Sequence, residues 1–288
     1  MQTRAPALWI LVACVLFATM SALVKLASSA VSLPEIVLFR TLPAAVALVA
    51  LARFRGDVIA SPHWRLHALR SAVGVTGTFV GFYAVSNLPL ATATTLEYTT
   101  PLFLLAFIVV LARHHYTWQM AFAIVAGFLG VILLLRPSMQ AGETLAFCAG
   151  LGSGAVGAVA YSLIRRLGEA GEPAWRIVLW YSSAGTVVSA AMVPFGRPSS
   201  YTVGTAAALL AVGVLGLFAQ LAMTRAFSSG PTTLLASLQY STVAFAAVYG
   251  IVLWNDTFSP ASVAGLLLIV SSGMLALRRV REPVQVEG

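Results

Sequence analysis

The segment 84–103, AVSNLPLATATTLEYTTPLF, returns without a gap at 226–245 as AFSSGPTTLLASLQYSTVAF. The match continues to Arg136 and Arg278 at a constant offset of 142 positions. Because the matched positions include proline, tyrosine and arginine, chance similarity between two apolar helices explains them poorly. The identical pairs include Ser86, Pro89, Leu96, Tyr98, Thr100, Phe103, Leu111 and Arg136 with Ser228, Pro231, Leu238, Tyr240, Thr242, Phe245, Leu253 and Arg278.

Apolar segments extend from this repeat toward both ends of the chain. Of 288 residues, 59% are hydrophobic and 9% charged, more apolar surface than a soluble domain of this size can bury. Each run approaches the roughly 20 residues of a membrane-spanning helix and lacks the alternation of barrel strands. We predict an all-α integral membrane protein with ten transmembrane helices, called spans 1 to 10. The spans are 7–26, 34–52, 68–85, 92–111, 117–135, 144–164, 173–193, 202–223, 231–252 and 259–277.

The repeat divides these spans into two halves of a single membrane domain, residues 1–288. Repeat 1 covers 1–137 with spans 1–5, and repeat 2 covers 143–279 with spans 6–10, followed by a tail at 280–288. Because five is odd, the second half enters the membrane in the opposite orientation. The sequence therefore predicts two inverted five-helix repeats, an arrangement found in alternating-access transporters.

The charge distribution predicts the orientation of the spans. The net charge is +8, and most of the 17 Lys and Arg residues fall in connections that share one side with both termini. Basic connections stay in the cytoplasm, so both termini and the 280–288 tail are predicted to be cytoplasmic in an inner membrane. Since the positive charge is accounted for in this way, we expect membrane lipids and no nucleic acid as partners.

Two further features identify a resemblance: VLFR at 37–40 in span 2, and the stretch from Asn87 through Pro101 to Phe103. With the two halves, they make the chain resemble the drug/metabolite transporter superfamily, specifically its EamA-type ten-helix members. The resemblance implies a central cavity formed mainly by spans 3, 4, 8 and 9, with spans 1, 2, 6 and 7 moving around it. It also implies secondary transport, often export of amino acids or related metabolites. Pro101 is matched by Val243, so the two halves need not bend alike.

Two charged side chains, Arg40 and Glu97, lie more than one helical turn inside predicted spans. A charge there costs about 2.5–3.5 kcal/mol on insertion scales, so each needs a partner or water. At about 1.5 Å per residue both lie roughly 8 to 9 Å from the outer surface, where they can face one another. They are candidates for substrate binding or proton coupling, and as a pair for an outer gate. A structural ion pair between spans 2 and 4 is the alternative.

Polar residues beside Glu97 supply further candidates for one cavity wall. Helical spacing places Thr94 on the face of Glu97, with Tyr98 beside it. The repeat puts Gln239 and Tyr240 at the equivalent level of span 9. We predict that these side chains contact the substrate, with polar packing between helices as the alternative for Thr94.

Spans 3 and 8 carry a second matched polar pair, Thr78 and Gln220. Lipid-facing positions would be apolar, so hydrogen bonds to a substrate are predicted there, again with interhelical packing as the alternative for Thr78. Three aromatic residues are candidates for stacking against a planar or cationic solute: Tyr83, Tyr161 and Tyr181.

These features predict a secondary transporter for an amino-acid-like, zwitterionic or amine-bearing metabolite, working in efflux by exchange with a proton or another solute. An uptake permease for a nucleoside- or vitamin-like metabolite and a passive channel are the alternatives. The sequence contains no cluster of catalytic groups, no metal-ligand spacing and no phosphate-binding glycine motif, so we predict no catalytic residues, metal or cofactor. The partners are a small-molecule substrate and a candidate coupling proton, and monomer and dimer stay open.

Overall fold

A computed structural model describes residues 4–88, 90–111, 118–135, 143–254 and 260–281. Regular structure in these ranges is helical, which agrees with the predicted all-α class. The helices are α1 Arg4–Ala27, α2 Leu33–Arg55, α3 Trp64–Asn87, α4 Leu90–Glu97, α5 Thr100–Leu111, α6 Trp118–Leu135, α7 Thr144–Glu169, α8 Ala174–Met192, a 3₁₀ turn Val193–Phe195, α9 Val203–Ser229, α10 Thr232–Gln239, α11 Ser241–Trp254 and α12 Pro260–Arg281. Of the described helices, α1, α2, α7, α8 and α9 are long and apolar enough to cross a membrane.

Each predicted span coincides with one helix or with two consecutive helices. Spans 4 and 9, predicted as continuous, are each divided, into α4 and α5 and into α10 and α11. Helices α7 and α9 continue beyond the predicted ends at 164 and 223, to Glu169 and Ser229. They do so because a helix continues past its apolar stretch wherever its backbone hydrogen bonds can still form.

Span 4 is interrupted between Glu97 and Thr100. Pro101 has no amide hydrogen, and its ring clashes with the carbonyl four residues earlier. Hydroxyl groups satisfy carbonyls near the break: Thr99 donates to Leu96 at 2.6 Å, and Thr100 donates to Glu97 at 2.8 Å. The threonine hydroxyls beside the break therefore supply hydrogen bonds to carbonyls at the end of α4.

Span 9 is interrupted at the matched position, Tyr240, although Val243 replaces Pro101 there. The Val243 amide donates to the Tyr240 carbonyl at 3.0 Å, the three-residue bond of a tight turn. The thiol of Cys14 in α1 lies 3.7 Å from the Leu238 carbonyl beside the turn. The two halves are therefore interrupted at equivalent positions, even though only the break in span 4 is followed by a proline.

Helices of one half pack mainly on helices of the other. The packed pairs include α1 with α9, α3 with α7, α2 with α8, α6 with α12, α2 with α9, and α3 with α8. In addition, α1 contacts α10 and α11, and α7 contacts α4 and α5. By the sequence repeat, α1 to α6 correspond in order to α7 to α12, and exchanging the counterparts leaves this set of pairs unchanged.

Glycines allow several of these pairs to approach closely. A Cβ added at Gly130 would lie 2.8 Å from the Gly265 carbonyl oxygen, between α6 and α12. One added at Gly213 would lie 2.6 Å from the Phe39 carbonyl oxygen, between α9 and α2. Since lipid removes most of the hydrophobic driving force between helices, such close packing is a main source of their association.

Two tight turns bring the 56–63 and 170–173 connections to the same end of the bundle. Gly56 follows α2 with φ 70°, and Gly171 follows α7 with φ 80°. In both turns the amide after the glycine donates to the carbonyl five residues earlier, at 2.8 and 3.0 Å. This is the left-handed helix ending that glycine adopts at little cost.

Candidate functional site

A polar chain connects α2, α3 and α8 inside the bundle. The Arg40 guanidinium reaches Thr78 Oγ1 at 3.4 Å and lies 5.8 Å from the centre of the Phe82 ring. The hydroxyls of Thr78 and Tyr181 are 2.9 Å apart. Three predicted site residues, Arg40, Thr78 and Tyr181, are thereby brought together.

Arg70 extends this chain. It was not predicted as a site residue, because it lies only two residues past the predicted start of span 3 and was expected to belong to the cytoplasmic side. The structure places it in α3 with 3% of its surface exposed. Its guanidinium lies 4.6 Å from the centre of the Tyr181 ring. Its position four residues before Gly74 and eight before Thr78 was the available signal, because this spacing places all three on one helix face.

The Glu97 carboxylate lies at the break between α4 and α5, and the residue is exposed. It interacts electrostatically with Arg40 on α2, Tyr98 beside the break and Tyr161 on α7. A carboxylate that is exposed between three helices of the bundle faces accessible space in its interior. In this conformation Arg40 contacts Thr78 and does not form an ion pair with Glu97, so the paired outer gate stays a prediction for another state.

Two contacts between aromatic rings lie close to the breaks in spans 4 and 9. Gln239 donates to the Tyr161 hydroxyl at 2.6 Å, and the Tyr161 ring stacks on Phe227 with centroids 4.5 Å apart. The Tyr98 and Tyr240 rings, which are equivalent in the repeat, lie 6.4 Å apart. The structure therefore groups these four predicted residues near Glu97.

The other predicted residues lie apart from these contacts. Tyr83 in α3 is 39% exposed. Gln220 in α9 is buried, and its Nε2 has no hydrogen-bond partner. The side chain of Thr94 lies outside the described part of the chain. Within the described residues, no three His, Cys, Asp or Glu side chains form a group that could hold a metal ion.

A buried cluster around Glu172 joins the two halves at the end that is predicted to be cytoplasmic. Glu172 accepts hydrogen bonds from Ser61 and from Arg176, the latter at 2.9 Å, and lies 3.2 Å from His67 Nε2. His67 stacks on Trp180 with ring centroids 5.3 Å apart. Although burial raises the pKa of Glu172, the hydrogen bonds hold that pKa below its usual value.

A related cluster lies at the opposite end, around Glu35. Glu35 accepts hydrogen bonds from Ser32 at the start of α2 and from Ser199 and Tyr201 in the connection after α8. In each cluster, one half supplies a glutamate close to the start of a helix and the other half supplies a serine from a connection. Neither cluster was predicted.

Comparisons with known proteins agree with this architecture. The pseudopaline exporter CntI of Pseudomonas aeruginosa is 27% identical over 92% of this chain and 93% of its own length. The S-adenosylmethionine uptake transporter of Rickettsia prowazekii is 22% identical over 84% of this chain and 82% of its own. Human solute carrier family 35 member G1 is 24% identical over 73% of this chain and 61% of its own.

A solved crystal structure covers 97% of this chain and 100% of its own with a TM-score of 0.84 at 20% identity, a likeness that shows the fold alone. The sequence model of the EamA-like transporter family matches residues 4–136 and again residues 141–278. With its membrane helices and its two matched halves, the chain is a transporter rather than an enzyme, and it belongs to the EamA-like transporter family.

Proposed function

We propose that this chain is a secondary transporter that exports an amino-acid-like, zwitterionic or amine-bearing metabolite across the inner membrane by alternating access, in exchange for a proton or another solute. The observation that carries the proposal is the pair of unlike charges, Arg40 and Glu97, in the bundle interior without an ion pair between them. A solute with an acidic and a basic group can interact with both.

The inverted repeat that alternating access requires has two lines of support. The family model matches once in each half of the chain. The main contacts between the two halves, such as α1 with α9 and α3 with α7, are exchanged for one another when the halves are exchanged. Two like halves in opposite orientations can open the same site first to one side and then to the other.

A difference between the two ends of the bundle also favours alternating access. Near the predicted cytoplasmic end α7 packs on α9, so closely that a Cβ added at Gly168 would lie 2.6 Å from the Ser228 Cα. Within the described residues, the counterpart helices α1 and α3 lack a comparable contact. A carrier closed at one end and open at the other has this asymmetry, whereas a passive channel does not need it.

The names of the relatives support an organic metabolite as the transported substrate. They include transport both out of and into the cell. One relative is an exporter of pseudopaline and another takes up S-adenosylmethionine. We propose export because the exporter covers the larger share of this chain. The alternative is an uptake transporter, which uses the same site and moves its substrate in the opposite direction.

Counterflow into proteoliposomes tests the proposal. Vesicles that contain the purified protein are loaded with one unlabelled amino acid or amine at a time and exposed to a trace of the same labelled compound. For a carrier we expect transient accumulation that saturates with concentration, driven also by an imposed pH gradient. Flux that rises linearly with concentration, with no counterflow for any compound of the panel, would indicate a channel.

Reporter fusions test the orientation. We expect a fusion after Gly288 and one in the connection 56–63 to be active only with a cytoplasmic reporter, because basic connections remain inside. A fusion in the connection 196–202 should be active only with a reporter that works outside the cytoplasm. Activity of the Gly288 fusion outside would reverse the orientation and every depth derived from it.

A further inference from the structure

We infer that Arg70, together with Arg40 and Tyr181, binds a carboxylate group of the transported metabolite. This inference rests on the proposed function and names the substrate class of the same interior site. Arg70 is in α3, Arg40 in α2 and Tyr181 in α8, so the three groups come from three helices and from both halves of the chain.

The unusual feature of Arg70 is a buried positive charge without a counter-ion. Its Nε and Nη1 are buried and have no hydrogen-bond partner, and no described carboxylate forms an ion pair with it. An arginine side chain does not lose its charge in proteins. Since burying an unpaired charge is strongly unfavourable, a functional partner from outside the chain explains its position better than packing does.

The local sequence is shaped to hold this guanidinium. A Cβ added at Gly74, one turn further along α3, would run into Arg70 Nη1 and would lie 3.1 Å from the Tyr181 ring. The glycine therefore leaves room for Arg70 to lie along α3 and over the ring face. The ring stabilises the cation without accepting a hydrogen bond from its N–H groups, and Nε and Nη1 of Arg70 have no hydrogen-bond partner within the described residues.

A second positive charge reinforces the site. Arg40 and Arg70 interact electrostatically with each other, and both interact with Tyr181. Two like charges near one hydroxyl are destabilised without an anion. A planar carboxylate matches the forked donors of a guanidinium and can accept a hydrogen bond from the Tyr181 hydroxyl as well.

The position of Glu97 extends the inference to the whole substrate. Arg40 lies within electrostatic range of both Arg70 and Glu97. The two guanidinium groups and the Glu97 carboxylate therefore border a common region. A metabolite with a carboxylate at the arginines and an ammonium group at Glu97 satisfies both. Among the amino-acid-like, zwitterionic and amine-bearing solutes proposed above, one with a free carboxylate therefore fits this site.

Thermal unfolding of the purified full chain in detergent tests the inference with defined probes. The probes are L-glutamate, glutarate, L-glutamate dimethyl ester and inorganic phosphate, with sodium chloride at matched ionic strength as the reference. We expect saturable increases in melting temperature with L-glutamate and glutarate, the larger with L-glutamate, and none above chloride with the ester or phosphate. The inference is wrong if neither carboxylate exceeds chloride, and phosphate equal to glutarate would contradict a carboxylate site.

Arg70→Met separates binding from a structural role, with Arg166→Met at an exposed position of α7 as the matched control. Because Arg70→Met removes an unpaired buried charge, we expect it to raise the melting temperature without probes and to weaken glutarate binding at least 10-fold. A structural role predicts a lower melting temperature instead. If Arg70→Met does not fold, Arg70→Lys is measured, which keeps the charge but should bind glutarate more weakly because the fork is lost.

The counterflow and binding measurements distinguish the proposed transport function from the proposed carboxylate site. Failure of counterflow with intact, Arg70-dependent glutarate binding would overturn the proposed transport function alone. Working counterflow with glutarate binding unchanged in Arg70→Met would overturn the carboxylate site alone.

Discussion

Glu97→Gln is expected to abolish transport driven by a pH gradient while the protein still folds and inserts. The carboxylate is exposed in the bundle interior and interacts with Arg40, Tyr98 and Tyr161. Glutamine keeps the shape but cannot take up a coupling proton or carry the charge that binds an ammonium group. A hydrogen bond to a charged group contributes about 1.5–3 kcal/mol, so substrate binding alone should weaken by roughly 10- to 150-fold.

The measurement is the initial rate of uptake into proteoliposomes with and without a pH gradient. Glu169→Gln is the matched control, because Glu169 is exposed and pairs with Arg165 on the same helix, an interaction that contributes little at a surface. It should transport normally. If well-expressed Glu97→Gln shows saturable transport with its pH dependence intact, Glu97 has neither role.

The sequence predicted the helices well because their signal is local and repeated. An apolar stretch of sufficient length becomes helical in a bilayer, where each backbone polar group must be satisfied within its own segment. The positions of Tyr98 and Tyr240 at equivalent levels follow from the repeat alone. Their location at breaks does not, because only the break in span 4 is followed by a proline, Pro101, and the tight turn at Tyr240 has no local marker.

Arg70 shows a different limit of sequence reasoning. Counting basic residues assigns it to a connection, because the apolar stretch of span 3 starts at residue 68 and one arginine near a helix end normally reaches the membrane surface. Its burial depends on the space at Gly74 and on the Tyr181 ring, which comes from the other half of the chain. A contact between residues that far apart in sequence leaves no periodic pattern.

The clusters at the two ends were unpredictable for the same reason. Ser61 and Glu172 are separated by 111 positions and meet only after both halves have packed. Their sequence neighbourhoods are typical of polar connections. Once the structure places them together, their equivalence to Ser199 and Glu35 at the opposite end becomes visible, and the cluster around Glu172 can be tested by its contribution to stability.

Glu172→Gln is expected to lower the free energy of unfolding by about 3 kcal/mol at neutral pH. Glu172 is 6% exposed and accepts hydrogen bonds from Ser61 and Arg176. Breaking a buried ion pair costs about 3–5 kcal/mol. The lower end applies because Arg176 keeps a hydrogen bond to the Val58 carbonyl at 2.8 Å.

The pH dependence of this difference identifies its cause. Despite the burial that raises it, the pKa of Glu172 lies below the usual 4.5 in the folded protein because of its hydrogen bonds. Folded protein therefore binds the proton less tightly than unfolded protein. The stabilisation is complete above pH 4.5 and is lost as the pH falls through the folded-state pKa. Wild type and Glu172→Gln should thus converge in stability in acid.

Unfolding in detergent over a series of pH values from about 7 to about 3 measures both effects. Glu169→Gln again serves as control and should follow the wild type throughout, since its ion pair with Arg165 is exposed. A difference between wild type and Glu172→Gln that stays constant down to the lowest pH would mean that packing, and not the charge of Glu172, carries the effect. Equal stability at neutral pH would mean that the connections 56–63 and 170–173 are held together by their other contacts, such as the stacking of His67 on Trp180.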